Sequence, residues 1–177
     1  MRSVGTSLPP RPAAALRAAL LRLAAADVPV LVSGGTGRRL LGALRRPADL
    51  DLECRGDDIA RAARALGFAA PRRDAAGGWS SLRCAGRIAG VDVDLSAGVA
   101  VEGPHGRLAP DEALMWAWAL PVRGPGLPVW CAPPEEALAR TVAAGDWARL
   151  ARLAAGDGPA PRPAYVARRL ASVSAAR

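Results

Sequence analysis

Asp49 and Asp51 are separated by one residue, and so are Asp92 and Asp94. In a strand, residues two apart point to the same face. Asp49, Asp51 and Glu53 alternate with Leu50 and Leu52, and Asp92 and Asp94 alternate with Val91, Val93 and Leu95. Each stretch therefore reads as a strand with one apolar and one acidic face. Two carboxylates about 6 Å apart at an effective dielectric of ~20 repel by roughly 2–3 kcal/mol. Such a pair is stable where it faces open water, or where a divalent cation sits between the charges. If the two strands adjoin, three or four carboxylates converge. Ligands made only of oxygen suit Mg²⁺, with Mn²⁺ as its substitute. Metal ions held this way can activate an attacking hydroxyl and stabilise a leaving phosphate.

A second feature lies upstream. Val28 to Val32 is a short apolar run with β-branched residues, which predicts a buried strand. It ends in Ser33-Gly34-Gly35-Thr36, and a helix is expected from about Thr36 to Leu44. A glycine turn at a helix N-terminus aims backbone N–H groups and the positive helix end at an anion. The hydroxyls of Ser33 and Thr36 can add donors. A phosphate cradle followed by a carboxylate pair on the next strand is what nucleotide chemistry requires.

Several glycine-rich sites compete for this turn. A P-loop needs Gly-Lys-Ser/Thr, which is missing. A dinucleotide-binding turn has Leu40 at its third glycine position and two acids where one ribose-binding acid is expected. Gly34 to Leu40 also resembles the turn of sugar-phosphate nucleotidylyltransferases, although theirs normally opens the chain. More residues are covered by a fourth likeness. Gly34-Gly35-Thr36, Leu40, Arg45 or Arg46, and Asp49-Leu50-Asp51-Leu52 together resemble the DNA polymerase β-type nucleotidyltransferase superfamily. Within it, the chain is most similar to the small abortive-infection, type IV toxin-like enzymes.

The resemblance implies an α/β (α+β) nucleotidyltransferase fold, a mixed sheet flanked by helices with a small helical C-terminal part. It implies Mg²⁺-dependent transfer of a nucleoside monophosphate from an NTP to a hydroxyl acceptor, which could be a tRNA, a protein or a small molecule. In that reading Asp49, Asp51 and Asp94 hold metal, and Asp94 or Asp92 completes the catalytic carboxylates. Ser33, Gly34, Gly35 and Thr36 bind the nucleotide. Pro134-Glu135-Glu136-Ala137-Leu138-Ala139 resembles the family's Pro-Glu-x-Leu helix, whose lysine falls here at Arg140 or Thr141. Arg140 is the candidate phosphate ligand, as a planar fork and not a point charge. An antitoxin partner is a further expectation. The arginine/lysine-Asp pair that usually follows is not evident around Asp146 to Arg149. That departure permits one alternative, a catalytically impaired nucleotide-sensing or interaction domain on the same fold; a dinucleotide-binding oxidoreductase-like domain is a third possibility.

The remaining chain supplies the elements that position these groups. A Pro-rich arm is expected over 1–11, a nucleotidyltransferase core over 12–110, and a strand and helical part with a basic tail over 111–177. Leu16, Leu20 and Leu23 predict an amphipathic helix over 12–26. Asp57 caps a helix that stops at Gly67. Trp79 to Leu95 reads as a hairpin turning at Ala85-Gly86. Helices are expected over 111–120, 133–144 and 147–155, with a loop over 123–127, a short strand over 127–131 and a last helix in the tail.

The chain carries a net charge of +8, with arginine as its only basic residue besides His105. That balance suits an anionic partner, but coding bias toward arginine is the stronger explanation. Cys54, Cys84 and Cys131 lack metal-binding spacing and read as buried free thiols. The lone histidine sits in a turn-like Gly-Pro-His-Gly, which argues against a Ser-His-Asp hydrolase. No apolar run reaches membrane-spanning length, and a cytoplasmic protein is expected.

Overall fold

A computed structural model describes residues 8–43, 47–156 and 158–174. Arg45 and Arg46, and most of the N-terminal arm, lie outside the described residues. The fold is α+β: one mixed sheet with helices on both faces. Helix α1 (Pro10–Ala25) leads into β1 (Leu31–Val32), α2 (Gly34–Leu40) and β2 (Leu50–Glu53). A short turn of 3₁₀ helix then enters α3 (Ile59–Leu66), which Gly67 terminates in the left-handed conformation. Strands β3 (Arg72–Ala76), β4 (Trp79–Ile88), β5 (Val91–Gly103) and β6 (Gly106–Leu108) follow as an antiparallel run. The chain continues through α4 (Glu112–Ala117), β7 (Leu120–Arg123), β8 (Pro128–Cys131), α5 (Pro134–Ala144), α6 (Trp147–Ala154), α7 (Pro163–Ala171) and β9 (Val173–Ser174).

The main strand order is β3-β4-β5-β2-β1-β8-β7. β2 runs parallel to β5, and β1 runs antiparallel to β2 and parallel to β8. The alternation in β2 and β5 decides which face is core. Leu50, Leu52, Val93 and Leu95 are buried against α1 and α3 through Leu16, Leu23, Ile59 and Leu66. Asp51 and Glu53 point to the opposite face, where α5 packs and Arg140 meets Glu53. Gly37 lets α2 lie this close to its own strand: a Cβ there would approach the Val32 carbonyl oxygen to 2.6 Å.

The hairpin differs from expectation. β4 runs straight through Ala85-Gly86 and turns at Ala89-Gly90. Gly86 is a strand residue because the Phe68 ring fills the space a side chain would need. Both turn residues have positive φ, 49° for Ala89 and 77° for Gly90, the pattern of a type I′ turn. Ala89 bears a steric cost there that asparagine largely avoids. Ala89→Asn is expected to stabilise the protein by up to about 1 kcal/mol, read as a higher midpoint in urea. β3 and β7 were not expected. All five residues of β3 are exposed and carry no apolar alternation, so only pairing with β4 makes them a strand. α4 ends before Trp118, which leaves Leu120–Arg123 to pair with β8 across a Gly-Pro-Gly turn. Among the described residues no helix is long and apolar enough to cross a membrane.

Candidate active site

Parallel pairing of β2 with β5 sets Asp51 directly opposite Asp94. Asp49, just before β2, joins them: each of the three offers an oxygen, and these oxygens lie within 4.8 Å of one another. All three side chains are partly accessible. An octahedral Mg²⁺ ion with oxygens at about 2.1 Å has its donors roughly 3–4 Å apart. The donor chemistry fits such an ion, and a small closing of the side chains from a separation of up to 4.8 Å brings the oxygens to its spacing. Burial, then repulsion from Asp49, raises the Asp51 pKa to about 6, although the Gly35 N–H pulls the other way. Asp92 is not part of the group. It stands one pleat away, largely exposed, and pairs with Arg87 at 3.0 Å.

The glycine turn lies against this cluster. The Gly35 N–H donates to Asp51 Oδ2 at 3.3 Å, and the Ser33 N–H donates to the Asp51 carbonyl at 2.9 Å. Gly34 has φ of +53°, and a Cβ there would collide with the Asp51 carboxylate. Gly34→Ala is therefore expected to cost about 1–2 kcal/mol in backbone strain and to displace Asp51. A 1 Å misplacement at a reacting centre costs on the order of 10²-fold in rate, which an activity assay beside a thermal melt would separate from the stability loss. Thr36 sits differently from Ser33. It is fully buried, and its hydroxyl donates to the Asp49 carbonyl at 2.7 Å. It ties α2 to the start of β2 and so positions Asp49.

Arg140 lines the same cleft, but its donors are committed. Its Nη1 and Nη2 donate to the two Glu53 oxygens at 3.0 and 2.9 Å, and its Nε donates to Glu136 at 2.9 Å. Glu136 also accepts from Arg169 and from the Tyr165 hydroxyl. Two buried arginines thus face two buried glutamates. Burial opposes the charge on Arg140, but Glu53 and Glu136 outweigh it and hold the guanidinium pKa above its ordinary value. Burial likewise opposes ionised Glu136, and Arg140 and Arg169 outweigh that and lower its pKa.

The carboxylates and the turn open into a cleft of about 740 Å³. Its far side carries Arg149 and Arg152 on α6, Arg38 on α2, and Trp79 on β4. The Arg149 guanidinium stacks over Trp79, 5.2 Å from the ring centroid. A fifth arginine, Arg83, donates to Asp94 from β4. Sequence reasoning missed these residues, because in a chain with arginine throughout nothing local marks the ones that face a cleft. His105 is exposed and packs edge-on to Trp147, away from the carboxylates. The three cysteines are free and buried.

Sheet, helices and carboxylate placement define a nucleotidyltransferase fold. The antiparallel β1–β2 pair sets it apart from a dinucleotide-binding βαβ unit, which needs the two strands parallel. Among solved structures, the chain is similar to a Thermotoga maritima protein named only provisionally as a nucleotidyltransferase. The TM-score is 0.62 at 17% identity, over 83% of this chain and 89% of that one. No family model matches the chain, and no curated protein matches it.

Proposed function

We infer that this protein transfers a nucleoside monophosphate from an NTP to a hydroxyl acceptor, with Mg²⁺ or Mn²⁺ held by Asp49, Asp51 and Asp94. The convergence of these three carboxylates beside a glycine turn, on the wall of an arginine-lined cleft, carries the reading. In this reading the acceptor oxygen attacks the α-phosphorus, the bond to the bridging oxygen breaks, and pyrophosphate leaves. A cation held by Asp49, Asp51 and Asp94 would lower the pKa of the attacking hydroxyl and screen the phosphates. Asp94, at the outer edge of the group, accepts the acceptor's proton. The backbone of Ser33, Gly34 and Gly35 approaches the triphosphate. Arg149 and Arg152 take the role of phosphate cations that the sequence pattern suggested for Arg140, whose donors are spent on Glu53 and Glu136.

The finer likeness to the toxin-like enzymes rests on residues 30–53. An antitoxin partner belongs to it, and co-purification with the product of a neighbouring gene checks it. A second reading, a nucleotide-sensing domain without catalysis, draws on the committed state of Arg140. The two separate in one assay: incubation with each α-labelled NTP, Mg²⁺ and RNA, protein or small-molecule acceptors. Transfer of label that requires the cation supports catalysis. NTP binding without transfer, unchanged by Asp49→Asn, supports the sensing domain and overturns the catalytic reading.

A further inference from the structure

The sheet face that carries Asp51 and Asp94 continues outward across β4 and β3. Arg83 lies on that face between two carboxylates. Its Nε and Nη2 donate to Asp94 Oδ1 at 3.1 and 2.7 Å, and its Nη1 donates to Asp74 Oδ2 at 3.2 Å. Asp94 belongs to the three-carboxylate group, whereas Asp74, on β3, does not. The guanidinium fork thus spans a metal-facing acid and an outlying one.

The electrostatics of the two states differ. Without a cation, three carboxylates crowd one another, and a positive charge on Asp94 relieves part of the repulsion. With a divalent cation among them, the same guanidinium is a like charge only a carboxylate away. It also occupies an oxygen the cation could use. Asp74 offers a partner on which that positive charge can rest without being left unpaired.

We propose that Arg83 is the counter-ion of the metal-free site, holding Asp94 until a divalent cation displaces it toward Asp74. This rests on the metal-dependent reading above. Arg83 is here a positioning residue. It weakens the affinity of the carboxylates for a free cation, so that a cation enters most readily with the negative charge of a triphosphate. Asp74 acts in the opposite sense, by drawing Arg83 off Asp94.

The test is Mn²⁺ binding to the intact chain without nucleotide, followed by calorimetry or by loss of the free Mn²⁺ resonance signal. Arg83→Met is expected to tighten the Mn²⁺ Kd about 2- to 10-fold, the worth of an ordinary net hydrogen bond. Asp74→Asn is expected to weaken it, and the double variant to behave as Arg83→Met alone. Opposite signs from two neighbouring exposed substitutions are not a pattern that general loss of structure produces. An unchanged or weaker Kd in Arg83→Met, or a tighter one in Asp74→Asn, overturns the proposal while leaving the metal site standing. Absence of Mn²⁺ binding in both the unsubstituted protein and Arg83→Met, with NTP present as well as without it, overturns the metal-dependent reading itself, and this proposal with it.

Discussion

Asp51→Asn is expected to make the metal-free protein more stable at pH 7 while abolishing transfer. Asp51 is raised from 3.8 to about 6 by burial and by Asp49. The folded state therefore keeps its proton over a range, about pH 4 to 6, in which the unfolded chain has released it. Protonated Asp51 contributes stability that is complete below about pH 4 and is lost as the pH rises through about 6. At pH 7 the ionised group is a burden. The shift is equivalent to about 3 kcal/mol at 1.36 kcal/mol per unit, and water in the open cleft reduces the recoverable part to about 1–2 kcal/mol. Asparagine keeps an oxygen for the Gly35 N–H but cannot ionise. The gain in Tm should be near zero at pH 4 and reach about 2–8 °C at pH 7. Added Mg²⁺ should raise the Tm of the unsubstituted protein and move the variant much less. Transfer should fall by at least about 10²-fold, the cost of removing one electrostatic contributor to a reacting centre. A variant less stable than the unsubstituted protein at pH 7 without metal would show that Asp51 is a structural acid. The expected gain in stability would instead mark the acid cluster as strain kept for function.

Arg140→Ala is expected to destabilise the fold by about 3–5 kcal/mol, the usual cost of removing one partner from a buried ion network. Arg140 faces Glu53 and Glu136, which are only 5% and 3% exposed. Its removal leaves one buried negative charge in excess, with Arg169 alone to balance it. The loss corresponds to about 6–20 °C in Tm for a chain of this size, or to a lower urea midpoint at unchanged slope. Arg140→Lys should restore only part of it, because one ammonium cannot reproduce the fork that meets Glu53 with two donors and Glu136 with a third. If Arg140 instead bound phosphate, the alanine variant would melt normally and show a raised KM for NTP. The network has a consequence for the site. Glu53 shares a strand face with Asp51, but Arg140 holds it to α5, and the group that could hold a metal is Asp49, Asp51 and Asp94.

Much of this site is legible because period-two patterns survive in a one-dimensional string. Leu50 and Leu52 must be buried together, so Asp51 and Glu53 must share the other face, and the same holds for Val93, Leu95 and Asp94. The glycine turn is equally local: Gly34 has a positive φ and no room for a side chain. The Ala89-Gly90 turn was less legible than Ala85-Gly86, because only the Phe68 ring, 18 residues upstream of Gly86, explains a glycine inside β4. β3 has no pattern of its own to read. The donor groups of Arg140 and Thr36 were visible, but where they go was not.

By itself, then, the sequence determined the strand faces, the turn and the presence of acids enough to hold a cation, since alternation and backbone sterics act between near neighbours. Only the tertiary structure decided which acids meet and which arginines serve them. Parallel pairing of β2 with β5 brought in Asp94 and left Asp92 to Arg87. Packing of α5 against the sheet turned Glu53 and Arg140 toward each other at the cleft wall. Charges choose partners by distance in space, and that distance is set by sheet order and helix packing across dozens of residues of chain.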